Sequence, residues 1–141
     1  MNDRFANIAP VARTLLALIF IVAGLQKIGG YAGTQGYMEM MGVSGALLPL
    51  VIAVEVLGGI ALLIGFQARL AAALLAGFTV MAGTFFHLLP SLEMEAMAAQ
   101  GEMIHFMKNL GITGGLVMVI VFGAGSWSVD NRRSNATVAA G

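Results

Sequence analysis

Cysteine is absent from the 141 residues, so the chain itself can form no disulfide, no dithiol redox pair and no thiolate-bound cluster. Any electron transfer through it would need a bound cofactor or a partner. Charge is scarce as well. Seven basic and seven acidic side chains, 10% of the residues, cancel at neutral pH and leave no basic stripe for a nucleic acid. Phosphate-loop and dinucleotide fingerprints are missing, and the paired Gly58 and Gly59 lie inside an apolar run, where glycine serves helix contact. Proline occurs only at Pro10, Pro49 and Pro90, each at the edge of an apolar run rather than in its middle.

What the chain does contain is apolar: 59% of its residues are hydrophobic and the mean hydropathy is +0.91, more than a soluble domain of this length can hide. Three stretches, Pro10–Ile28, Pro49–Phe66 and Leu70–Leu89, each approach the ~20 residues that a helix needs to cross ~30 Å of hydrocarbon. Leu110–Phe122 is too short alone and ends at Gly123 and Gly125; extended back to about Met103, it too spans. Backbone groups in lipid must be paired within helices or closed barrels, and no period-two pattern argues for strands. The expected fold is therefore all-α: an integral membrane four-helix bundle over residues 1–130 with the lipid bilayer as its surroundings. The polar tail, 131–141, is expected to be flexible.

Arginine and lysine bias predicts the orientation. Arg4, Arg13, Arg69, Arg132 and Arg133 fall on the side of the termini and the second loop, whereas the opposite side has only Lys27 and Lys108 with Glu39, Glu93, Glu95 and Glu102. Both termini are expected in the cytoplasm, in a bacterial inner membrane. Pro10–Ile28 is long for a signal-peptide core and lacks a small-x-small cleavage site before Tyr31, so it reads as a retained anchor. On the outer side, Tyr31–Leu48 suggests a short interfacial or re-entrant piece, and Ser91–Gln100 a short surface helix capped by Ser91. The turn Gln67–Arg69 is tight and should hold the second and third helices antiparallel.

One carboxylate stands out. Glu55 lies near the middle of an 18-residue run with no other ionisable side chain, where a charge costs roughly 2.5–3.5 kcal/mol even on the lenient insertion scale. It calls for a partner or a task. Lys27 and His87 fall about one turn from the outer end, Lys108 slightly deeper and Glu55 roughly 12 Å down at 1.5 Å per residue, with Gln26, Thr84 and Asn109 nearby. Side-chain tilt brings these groups towards one level, and an ion pair of Glu55 with Lys108 or Lys27 would lower the cost of burying either. Gly24, Gly58, Gly59, Gly83 and the Gly111-x-x-x-Gly115 spacing lie on the faces of these residues and suggest close helix packing, or contact between copies in a homo-oligomer.

Each residue also has a plain structural reading. As a structural ion pair Glu55 would fix helix register, His87 would bond an interfacial carbonyl, Lys27 and Lys108 would snorkel, and Arg69, Arg132, Arg133 and Trp127 suit interfacial anchors. The outer methionines, Met38, Met40, Met41, Met94, Met97, Met103 and Met107, are soft enough for copper(I) but equally suit mobile apolar lids. His87 and His105 lie at similar levels, yet no further motif supports haem. Neither metal nor haem is expected.

The segments VARTLLALIFIVAGLQKI at Val11–Ile28, AVEVLGGIALLIGFQARLAAALLAGFT at Ala53–Thr79 and FMKNLGITGGLV at Phe106–Val117 resemble the DoxX family of small four-span bacterial membrane proteins. Its marks here are E-x-x-G-G at Glu55–Gly59, G-x-x-x-R-L at Gly65–Leu70, His87, the pair Lys108-Asn109 and a closing G-x-G-x-x-S-x-D at Gly123–Asp130. The resemblance implies a four-helix bundle associated with membrane oxidoreductases, hence a soluble oxidoreductase partner and an intramembrane site for a quinone or similar amphiphile. Two readings stand beside it: a noncatalytic scaffold or lipid-binding partner that recruits another enzyme, and a proton-coupled transporter, for which four helices leave little room.

Overall fold

The computed structural model describes the backbone of residues 8–139 and the side chains of residues 8–136; Arg4, counted above in the charge bias, lies outside them. Four helices are long and apolar enough to cross a membrane: Ile8–Gly29, Gly45–Ile64, Ala68–Ser91 and Ala96–Phe122. In chain order the elements are α1 (Ile8–Gly29), α2 (Tyr31–Met40), a 3₁₀ turn at Gly45–Leu47, α3 (Leu48–Ile64) and α4 (Ala68–Gly83). A π-helical turn (Thr84–Leu88), α5 (Leu89–Ser91), α6 (Ala96–Phe122) and α7 (Val129–Ala139) follow. No strand occurs among the described residues. The all-α membrane bundle expected from the apolar runs is what forms.

α1 lies chiefly against α3, α4 against α6, and α3 against α4, while α1 and α6 barely meet. Ala17, Phe20, Leu62, Ala72, Leu75, Ala76 and Leu116 form the buried core. Most other large apolar side chains face outward, as they should where the surroundings are hydrocarbon. The end of the bundle carrying α2 and the α5–α6 turn is termed upper here, and the end carrying the α3–α4 turn lower.

Several boundaries differ from those expected. α6 is one continuous helix from Ala96, so the surface helix foreseen at Ser91–Gln100 is its first turn; only Leu92–Glu95 interrupts the chain. Ser91 caps nothing: it closes the preceding helix, its hydroxyl donating to the Leu88 carbonyl at 2.7 Å. Pro90 does not stand beyond the third span but inside its last turn. A proline there has no N–H for the Phe86 carbonyl and its ring would collide with it. The helix answers by widening to π geometry just before, with the Leu89 N–H bonded to the Thr84 carbonyl. The polar tail is helical as far as Ala139, where its composition suggested no ordered element. Tyr31–Leu48 holds a short helix and a 3₁₀ turn, as a short interfacial piece requires.

The lower end is knitted by the closing motif. Gly123 and Gly125 take positive φ of 83° and 72°, which turns the chain back beneath α3 and α4. Asp130 then receives the Gln67 and Ala68 N–H groups, both at 2.8 Å, and so satisfies the start of α4. Arg13, counted in the sequence only for the charge bias, is buried at 4% exposure. Its guanidinium donates to the carbonyls of Leu63, Ala124, Ser126 and Trp127, binding α1 to α3 and to the returning chain.

Candidate functional site

The motif E-x-x-G-G builds the floor of the site. Gly59 lets the α1 backbone approach so closely that a Cβ there would lie 3.2 Å from the Ala17 carbonyl and 2.8 Å from Ile21, while Gly58 receives Leu75 of α4. One turn above, Gly24 of α1 passes over Glu55, where a Cβ would stand 3.3 Å from the glutamate's own Cβ. Lys27 follows Gly24 by three residues and therefore shares its face. Its Nζ reaches Glu55 Oε1 at 2.8 Å.

Glu55 is 4% exposed, and its second oxygen, Oε2, is buried with no hydrogen-bonding partner among the described residues. Beside it opens a cavity of about 300 Å³. Each long helix contributes a polar group to this cavity: Lys27 from α1, Glu55 from α3, Thr79 from α4 with His87 from the π turn, and Asn109 from α6. Thr34, Tyr37 and Met38 of α2 close the upper side. Tyr37 stacks on Phe86, with ring centroids 5.8 Å apart. Burial, and then the negative charge of Glu102, push the Tyr37 hydroxyl above the usual phenol range, so it remains a neutral donor and acceptor at physiological pH.

His87 joins the cavity to the upper surface. Its Nδ1 lies 2.7 Å from Glu102 Oε2, both side chains are partly exposed, and its ring stacks on His105 at 5.1 Å. The π turn that Pro90 imposes carries both Phe86 and His87 to the cavity wall.

Four of the seven residues singled out in the sequence thus line one cavity: Lys27, Glu55, His87 and Asn109. Three do not. Lys108 is exposed on α6 and forms no hydrogen bond or ion pair among the described residues, because successive helical positions diverge by about 100° and Asn109 is the one packed inward, against Gly83. The expected face of Lys108, Gly111 and Gly115 opens outward at its upper part: a Cβ at Gly111 would meet nothing within 4 Å, and only Gly115 touches α1, at Leu16. Gln26 faces outward one position before Lys27. Thr84 spends its hydroxyl on the Val80 carbonyl at 2.9 Å and lies off the cavity. Sequence reasoning missed Thr34, Tyr37 and Thr79, since one hydroxyl on an apolar face carries no signal of its own. The nearness of Glu102 to His87 had one faint signal, their placement on either side of the same short turn.

The family model for DoxX matches residues 8–88, a stretch that holds α1 to α4 and the Glu55, Lys27 and His87 positions. The chain belongs to the DoxX family. Inner membrane protein YqjF of Escherichia coli K12 is 47% identical over 121 residues, covering 85% of this chain and 87% of that protein. Inner membrane protein YphA of the same organism is 34% identical over 124 residues, covering 86% and 87%. No solved structure matches the chain. The ion pair of this DoxX-family bundle and most of the cavity lining fall inside the region that the family model covers, while Asn109 and Ile112 of α6 lie beyond it.

Proposed function

We propose that this protein is the membrane subunit of an oxidoreductase system and that its upper cavity binds the head of a quinone or a similar amphiphile. The observation that carries the reading is Glu55 Oε2, a buried carboxylate oxygen without a donor among the described residues, beside an intramembrane cavity. Leaving such an atom unsatisfied costs about 1–3 kcal/mol or more, which a hydroxyl-bearing ligand would offset. Lys27, Tyr37 and Asn109 supply donors for a carbonyl-bearing head, and Glu55 supplies the acceptor for its hydroxyl form. A bound quinone or quinol supplies two-electron, two-proton chemistry. The chain's own part is to orient the head and hand on protons: Glu55 takes one from a hydroxyl within the cavity, and His87 exchanges one with Glu102 at the surface. The electrons come from a partner or a further bound cofactor, because this chain has no thiol to supply them. The names of both curated relatives support a bacterial inner membrane, and the arginines at the lower end support cytoplasmic termini.

Binding of decylubiquinone and decylubiquinol to the purified protein tests the reading. Glu55→Gln and Lys27→Met should weaken binding at least about tenfold, or ~1.4 kcal/mol, whereas Lys108→Met, Gln26→Ala and Thr84→Val should leave it unchanged. A folded Glu55→Gln variant that binds as tightly as the parent would refute it. A parent that binds neither compound, with Glu55→Gln lowering stability alone, would favour the scaffold.

A further inference from the structure

A second cavity lies outside the polar one. It is an apolar groove of about 570 Å³ between the upper halves of α3 and α4, roofed by the chain that joins α2 to α3. Among the described residues, Ser44 alone brings a polar side chain to it. Leu50, Leu74, Met81 and Phe85 are 49–61% exposed there, so its outer side opens to the hydrocarbon surroundings. Its inner side is shared: Met38, Val51, Phe78, Ala82 and Phe86 line both the groove and the cavity that holds Glu55. From Leu74 to Phe86 the groove follows α4 and the π turn for roughly 18 Å at ~1.5 Å per residue.

We infer that this groove seats the apolar tail of the ligand whose head enters the Glu55 cavity, and that it is the portal by which the ligand arrives sideways from the bilayer. The inference rests on the proposed binding reading and adds to it the class of ligand: a lipid-phase amphiphile with one flexible hydrocarbon or isoprenoid tail. The division of polarity carries it. Two adjoining spaces share a wall of five apolar residues, with the hydrogen-bonding groups in the inner one and apolar walls in the outer, which is the profile of a head with a tail. A bilayer lipid lying in the groove would keep its head at the interface and would not use the wall shared with the cavity. Roofing by α2 also matters, since Tyr37 and Met38 stand between the cavity and the upper side, while the groove meets the cavity along an apolar wall.

Because lipid chains are as apolar as the groove, moving a tail from bilayer to groove releases no hydrophobic free energy. The groove therefore confers access and orientation rather than affinity. Binding from a bilayer should depend weakly on tail length and strongly on whether the junction is open.

Two photoreactive decylubiquinone analogues, reconstituted with the full chain in phosphatidylethanolamine–phosphatidylglycerol vesicles, test this. One carries a diazirine at the end of the tail and the other carries it on the ring. The tail probe should label α4 and the π turn between Leu74 and Phe85, or α3 between Leu50 and Val54, and the ring probe the cavity wall. Excess decylubiquinone and Glu55→Gln should each reduce both labels at least tenfold. Ala82→Trp, which fills the junction, should reduce ring labelling at least tenfold with helical content and melting temperature retained; if that variant misfolds, the tail label on the unaltered chain still decides. Competed ring labelling with the tail label on α1 or α6 would overturn the groove and leave the head site standing. Labels unaffected by Glu55→Gln would remove the head site, and the groove with it. Tail labelling of the groove that excess decylubiquinone does not reduce would make it a bed for bilayer lipid, which also overturns the inference.

Discussion

Glu55 and Lys27 form a pair of unequal burial: the carboxylate is 5% exposed at its side chain and the lysine 27%. Removing one partner from a buried pair leaves an uncompensated charge and costs about 3–5 kcal/mol, and the accessible lysine puts this pair at the lower end. Lys27→Met should therefore lower resistance to unfolding in mixed detergent by about 3 kcal/mol, while Lys27→Met with Glu55→Gln should recover most of that loss. A double variant no more stable than the single one would show that the pair is not what Lys27 contributes. Residue type and position made Glu55 conspicuous, because a carboxylate amid an apolar run needs an explanation wherever it points. Its choice of Lys27 over Lys108 was not legible. That choice follows from Gly24, which lets α1 cross directly over Glu55, and from Asn109, which takes the inward position on α6 and turns Lys108 away.

Helices α1 and α3 owe their contact to two absent side chains. At Gly59 a valine would drive its branches into Ile21 and the Ala17 carbonyl, and overpacking of this kind costs about 1–3 kcal/mol. Gly59→Val should destabilise the bundle by that amount and lengthen the separation of Lys27 from Glu55, measured by spin labels on α1 and α3. Gly111→Ala is the counterpart: with nothing within 4 Å of the new methyl, it should be neutral or gain up to ~1 kcal/mol from helix propensity. The two glycines look alike as letters in apolar runs and differ only in what lies opposite. At the lower end, Asp130→Ala should cost about 1–2 kcal/mol by freeing the Gln67 and Ala68 N–H groups, read as earlier hydrogen exchange at the start of α4. The serine and aspartate of the closing motif were visible in the sequence as letters; that Ser128 bonds the turn at Gly125 and Asp130 caps a helix over 60 residues away required the returning chain.

Across the whole molecule, the two ends differ in kind. The lower end is held by Arg13 reaching four carbonyls and by Asp130, whereas the upper end is held by side chains that meet around a cavity. Rigid closure below and a roofed cavity above suit a site filled from the upper half of the membrane. The absence of cysteine allows the orientation to be measured directly. With Ser134→Cys at the lower end and Glu93→Cys at the upper, a membrane-impermeant maleimide applied to intact cells should label Glu93→Cys and spare Ser134→Cys. The reverse pattern would invert the proposed topology.

The sequence by itself determined that this chain is a four-helix membrane protein of the DoxX family carrying one costly carboxylate, because hydrocarbon thickness and the price of a charge in it constrain composition before any fold exists. Tertiary structure alone decided which cation meets that carboxylate, which of its oxygens is left bare, and that an apolar groove opens beside it. Those depend on the rotation and closeness of neighbouring helices, which a difference of one residue in register or one methyl group at a glycine would change.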